Sequence, residues 1–114
     1  GLLGKEREMP VSTDLVNAYR ALGAMYTAGS VAAAHDQLGM NFLLDRDATH
    51  WSSELAQLKA GVGDCDTTSP VEPTGALSGD YTWRCTHGRL SGSLSLTPTQ
   101  PPRIQEWVIE PLAP

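Results

Sequence analysis

Positive charge is scarce in this chain. Eight Lys and Arg stand against thirteen Asp and Glu, a formal net charge of -5, and the cations are scattered from Lys5 to Arg103 without forming a stripe. Nucleic acid and anionic membrane surfaces both recruit proteins through clustered positive charge, so neither is expected as a partner. No apolar run approaches the roughly 20 residues that cross a bilayer, which argues against membrane insertion. Serines are plentiful, yet none stands in Gly-x-Ser-x-Gly or Ser-x-x-Lys. The local signatures of serine nucleophiles are therefore missing, and no catalytic residue is assigned. No internal repeat is visible.

What is present suits one domain. At 114 residues, 40% hydrophobic and 18% charged, the chain is long enough for a single core and is neither a disordered polyampholyte nor a fibre. Residues 1–11 mix charges with two leucines and end near Pro10, which reads as an arm or interdomain linker. Residues 12–114 form the expected α+β domain. The opening Gly-Leu-Leu-Gly-Lys is expected either to follow a cleaved leader or to begin a segment of a longer protein.

Three helical stretches come first. Ser12 or Thr13 supplies an N-cap, and Leu15, Tyr19, Leu22 and Met25 or Tyr26 recur on one face of a helix that Gly29 ends. Ser30 caps a second, shorter helix carrying Val31, Ala34 and Leu38. Met40, Phe42, Leu43 and Leu44 form a dense apolar patch, in which Phe42, the one phenylalanine, is expected in the core. Asp47 or Thr49 caps a third helix with Trp51, Leu55, Leu58 and Val62 on one side. No strand is evident between the second and third helices.

From Asp66 to Ser78 the composition turns to Thr, Ser, Pro and Gly, a connector with room for one short edge strand around Val71. Beyond it the period becomes two. Tyr81, Trp83 and Cys85 share a face, as do Leu90, Gly92, Leu94 and Leu96, with His87-Gly88 as the hairpin turn between them. A third strand covers 103–110, where alternation places Ile104 and Val108 on one face and Trp107 and Ile109 on the other. Apolar residues on both faces imply that something beyond the helices covers this strand, another domain or a second copy. The whole predicts three N-terminal helices packed on one face of a three- or four-stranded antiparallel meander.

Two cysteines permit one disulfide, Cys65 to Cys85, with two buried free thiols as the alternative. Closing a loop of about 20 residues contributes roughly 3 kcal/mol in the chain-entropy model. If the bridge forms, a secreted or periplasmic location follows, because cytosolic thiol pools would reduce it. Cys85-Thr-His87 with Cys65 and Asp64 or Asp66 offers ligand atoms, but Cys-x-His is not a recurrent zinc spacing and only two sulfurs exist, so no metal or cofactor is expected. His35 and His50 read as exposed or capping residues. Asp45 and Asp47 around Arg46, and Asp64 and Asp66 around Cys65, read as loop ends and caps rather than acid/base pairs. Tyr81, Trp83 and Trp107 are the candidate interface or pocket residues, with core packing as the plainer role.

Several of these features together resemble a known group. Tyr26-Thr-Ala-Gly29-Ser, Phe42-Leu-Leu before Trp51, Gly63-Asp-Cys65, Gly79-Asp-Tyr-Thr-Trp-Arg-Cys85, Leu94-Ser-Leu-Thr-Pro98 and Pro102-Arg-Ile-Gln105 are similar to the cystatin-like, cone-shaped domains of the ketosteroid isomerase or nuclear-transport-factor-like superfamily. More narrowly, they resemble accessory domains of secreted bacterial serine hydrolases of the beta-lactamase and penicillin-binding type. The resemblance implies a non-catalytic extracytoplasmic accessory domain whose partner is a hydrolase domain of the same chain. Isomerase activity is not implied, because its Tyr and Asp residues have no matching positions. The alternative expectation is a small-ligand-binding or isomerase-like domain with a pocket between helices and sheet.

Overall fold

The computed structural model describes residues 11–112; the arm or linker expected over 1–11 lies almost wholly outside them. Helix α1, Thr13–Ala28, starts where Ser12 Oγ accepts from Leu15 N at 3.1 Å and ends where Gly29 adopts φ 73°, the left-handed conformation a glycine enters without a Cβ clash. The same Ser12 hydroxyl donates to Ala76 O, tying the helix start to the sheet. A 3-10 helix, Val31–Gln37, follows after Ser30 and is kinked at Ala34. A single turn, α2, covers Phe42–Asp45. Helix α3, Ala48–Val62, is capped by Asp47, whose carboxylate accepts from His50 N at 2.8 Å.

Five strands complete the α+β order: β1 (Cys65–Asp66), β2 (Glu72–Gly75), β3 (Ser78–Cys85), β4 (Gly88–Leu96) and β5 (Ile104–Pro111). All pair antiparallel. β3, β4 and β5 form a meander, and the outer edge of β3 is covered in two pieces, by β1 at its Cys85 end and by β2 at its Ser78 end. β1 was not anticipated because two residues carry no periodicity. It exists because Cys65 and Cys85 are register partners joined by a disulfide.

The register corrects two readings of the sequence. The β3–β4 turn is Thr86-His87, with Cys85 opposite Gly88, rather than His87-Gly88. It is held from outside: Thr86 N donates to Asp64 O at 2.9 Å and His87 N to Val62 O at 2.8 Å, so the end of α3 shapes a turn that its own residues do not specify. In β5, Leu96 pairs with Ile104 and Ser95 with Glu106, which leaves Gln105 as a bulge. The extra residue changes the phase of the strand, so Ile104 and Trp107 are both buried on the helix side, with Ile109 packed against the core. Of the apolar residues in β5 only Val108 goes to the other face. The inference that a second apolar face needs a cover came from alternation applied across a bulge.

The core lies between the helices and this one sheet face. Leu15, Leu22, Met25 and Tyr26 of α1 and Trp51 and Leu55 of α3 meet Tyr81, Trp83, Leu90, Leu94, Ile104 and Trp107. Burying each such large side chain contributes about 1.5–3 kcal/mol, which is why the apolar helix stripes read from the sequence all face the sheet.

Candidate functional site

The three aromatic residues singled out by the sequence lie in the core, and Trp107 also lines a recess described below. Tyr81, Trp83 and Trp107 are all buried, and each polar atom is used. Trp107 Nε1 donates to Tyr81 Oη at 2.8 Å, and Tyr81 Oη donates to the Val108 carbonyl at 2.7 Å. Trp83 Nε1 donates to Tyr19 Oη at 2.8 Å; Tyr19 meets Ser69 Oγ at 3.2 Å, and Ser69 donates to Thr82 O at 2.9 Å. Two Trp–Tyr relays thus carry buried N–H groups to backbone carbonyls, which satisfies the requirement that buried polar atoms find partners. Burial pushes the Tyr81 hydroxyl far above the usual phenol range, so it stays protonated and donating. Tyr26 is also raised, first by burial and then by the charge of Asp64, while its hydroxyl donates to Gly63 O at 2.8 Å.

The first relay needs Gly92. This residue faces Tyr81 on one side and Ile109 on the other. A Cβ there would meet the Val108 carbonyl oxygen, lie 2.6 Å from its carbon and 2.7 Å from Tyr81 Oη. Only a residue without a side chain lets the tyrosine cross β4 and reach β5.

The core side chains pack the interior between helices and sheet, and recesses open along its margins. Among the described residues no charged side chain is buried, and no group of three or more His, Cys, Asp or Glu is placed to hold a metal ion. Asp64 and Asp66 flank the disulfide. Asp66 accepts from the Thr68 hydroxyl and, at 2.9 Å, from its backbone N–H, which holds its carboxyl below the ordinary range. His87 sits in the β3–β4 turn and His50 in the first turn of α3. His35 lines a recess at the start of β5.

That recess, about 640 Å³, lies where the 3-10 helix and α2 meet the start of β5, and its walls include His35, Met40, Phe42, Thr97, Arg103 and Gln105. Gly39 N donates to Ile104 O at 2.8 Å and Arg103 donates to the Asp36 carbonyl, which fixes the crossing of the two segments. A smaller recess of about 200 Å³ adjoins it through Phe42 and Gln105 and runs along β5 past Asp45, Arg46, Trp51, Glu106 and Val108. Its floor is an aromatic stack: Phe42 on Trp51 at 5.4 Å and Trp51 on Trp107 at 5.0 Å, both nearly parallel. Arg46 lies 4.5 Å over the Trp51 ring and pairs with Glu54 at 2.7 Å. Trp51 Nε1 is buried without a hydrogen-bond partner among the described residues.

The same end of the molecule exposes large apolar side chains, while Val11 and Leu112 are exposed elsewhere. Met40 is 95% exposed and Leu44 76%, and Val108 on the neighbouring strand is 40% exposed. The sequence marked Met40 to Leu44 as an apolar patch but could not divide it. A one-turn helix can turn only Phe42 and Leu43 inward, so Met40 and Leu44 are left in water. A second peripheral recess of about 440 Å³, between α1 and residues 67–71, has Val16, Arg20 and Val71 on its walls. The Tyr19 hydroxyl that reaches it is already committed to Trp83 and Ser69. Comparison of the chain with protein-family models, with curated proteins and with solved structures finds no match.

Proposed function

We propose that this chain is a non-catalytic, extracytoplasmic interaction domain that docks on a larger partner through the Met40–Leu44 end of the fold. The observation that carries the reading is the exposure of Met40, on the wall of a recess, and of Leu44 close by in sequence, the two most exposed large apolar side chains among the described residues. Exposed large apolar side chains at a concave site are the usual mark of a contact surface. The Cys65–Cys85 bridge supports an oxidising compartment. The identity of the partner as a serine hydrolase domain of the same chain rests on the sequence resemblance alone.

Two measurements test this. The purified chain is expected to hydrolyse neither a chromogenic cephalosporin nor a p-nitrophenyl ester above the buffer rate; turnover proportional to protein concentration would refute the non-catalytic half. Binding to a beta-lactamase-type hydrolase domain encoded with it is expected to weaken at least about tenfold, or 1.4 kcal/mol, in the Met40→Glu/Leu44→Glu variant. Both side chains are in water, so the urea midpoint should not move. Undiminished binding would place the contact elsewhere.

A further inference from the structure

The opposite edges of the sheet are treated differently. The edge of β3 is covered by β1 and β2, whereas β5 is the last strand and is met only at its first residue, where Leu38 bridges Ile104 in parallel fashion. The chain's own segment begins to pair with this edge and then leaves it for α2. From Gln105 to Pro111 the edge has no strand beside it among the described residues.

The hydrogen bonds at the two ends of β5 show which backbone groups face outward. Thr97 N donates to Arg103 O and Leu112 N to Arg89 O, both toward β4, while Ile104 O faces the other way to Gly39 N. With the bulge at Gln105, alternation directs the groups of Glu106, Val108 and Glu110 to β4 and those of Trp107 and Ile109 to the open edge. Pro111 closes the run, since it has no N–H to offer.

Beside these free groups the side chains are of one kind. Glu106, Val108 and Glu110 lie on the face away from the helices, and all three are exposed. A second copy paired antiparallel about Val108 would set Glu106 against Glu110 at both ends, and like charges directly opposite are destabilising. Two cations flanking an aliphatic residue on alternate positions would complement the same row. On the helix side, the added strand's residue opposite Trp107 falls next to the 200 Å³ recess that Trp107 and Trp51 line.

We propose that the β5 edge takes an extended basic segment of a partner protein as a sixth, antiparallel strand, with Lys or Arg opposite Glu106 and Glu110. This rests on the interaction reading above and names a partner chemistry for it. Strand addition of this kind draws affinity from main-chain hydrogen bonds and specificity from alternate side chains.

The probe is a capped Ser-Lys-Thr-Val-Thr-Lys-Ser peptide, titrated into the whole chain while tryptophan emission and the backbone amide resonances are followed. Saturable binding is expected, with slowed hydrogen exchange at the Trp107 and Ile109 amides. N-methylation of the two threonines, which removes the pairing N–H groups and keeps the charge, is expected to weaken binding at least about tenfold. Replacing both lysines by glutamate should do the same, and Glu106→Lys/Glu110→Lys, at two exposed positions, should reverse the preference. Equal binding of the N-methylated peptide would reduce the effect to charge and overturn the strand. Self-association of the chain that protects the same two amides would overturn it in favour of a second copy. If no peptide binds while the Met40/Leu44 contact persists, the strand proposal fails and the docking reading stands; loss of both sinks both.

Discussion

Replacing Tyr81 by Phe removes one oxygen and leaves the ring's packing in place. Two partners lose their bonds: Trp107 Nε1, in a buried side chain, loses its acceptor, and the Val108 carbonyl loses the tyrosine as donor. The carbonyl still faces β4, so the dominant loss is the orphaned indole N–H. A buried donor left without a partner costs about 1–3 kcal/mol. Since Gly92 has no side chain to fill the space vacated by the hydroxyl, the middle of that range rather than its lower end, about 2 kcal/mol, is the expectation for Tyr81→Phe. With an m-value of roughly 1.5 kcal/mol per molar urea, the midpoint should fall by over 1 M. Urea titration followed by tryptophan emission reads this directly, and Trp107 is one of the three reporters. Tyr26→Phe is the comparison, because that hydroxyl makes one bond, to Gly63 O, and orphans no side-chain donor; about 1 kcal/mol is expected. If Tyr81→Phe costs less than about 0.5 kcal/mol, or no more than Tyr26→Phe, the relay does not stabilise the fold and the argument from buried donors is wrong here.

Other consequences are as direct. Gly92→Ala should be among the most damaging single substitutions, because the new methyl meets the Val108 carbonyl and Tyr81 Oη together; overpacking of this kind costs about 1–3 kcal/mol or more, and a soluble variant with an unchanged thermal midpoint would contradict the β4–β5 register. Thiol titration of the native and the denatured chain should find no reactive thiol until a reductant is added, and the Cys65→Ala/Cys85→Ala variant should lose about 3 kcal/mol by urea unfolding. Two thiols in the denatured, unreduced protein would remove both the staple and the argument for an oxidising compartment.

Much of the architecture could be read from local patterns because they recur. Leu15, Tyr19, Leu22 and Met25 mark one helix face over several turns, and Tyr81, Trp83 and Cys85 alternate without a break, so a period can be measured. Ser12, Gly29 and Asp47 act on their immediate neighbours and were legible as caps. What was not legible depends on contacts distant in sequence. The Thr86-His87 turn is set by carbonyls at Val62 and Asp64, and β1 exists only against Cys85 and Arg84. The second helix is a 3-10 segment kinked at Ala34, although its alanines favour α-helix, so local propensity is overridden there. The surface at Met40 and Leu44 was hidden for a different reason: apolar residues in sequence carry no sign of exposure, and α2 is too short to have a measurable period. The buried indole N–H of Trp51 belongs to the same class, since whether a donor finds an acceptor is a property of the assembled fold.

Gln105 has a consequence that concerns deletions rather than substitutions. Most replacements at this position leave the strand intact, since the residue opposes nothing on β4. Removing it would join Ile104, opposite Leu96, directly to Glu106, opposite Ser95, so the ladder would run unbroken with Trp107 and Ile109 still on the helix side. What would go is the bend and the extra twist that a bulge gives its strand. An insertion elsewhere between Glu106 and Pro111 has the opposite effect, since it would turn every later side chain to the other face.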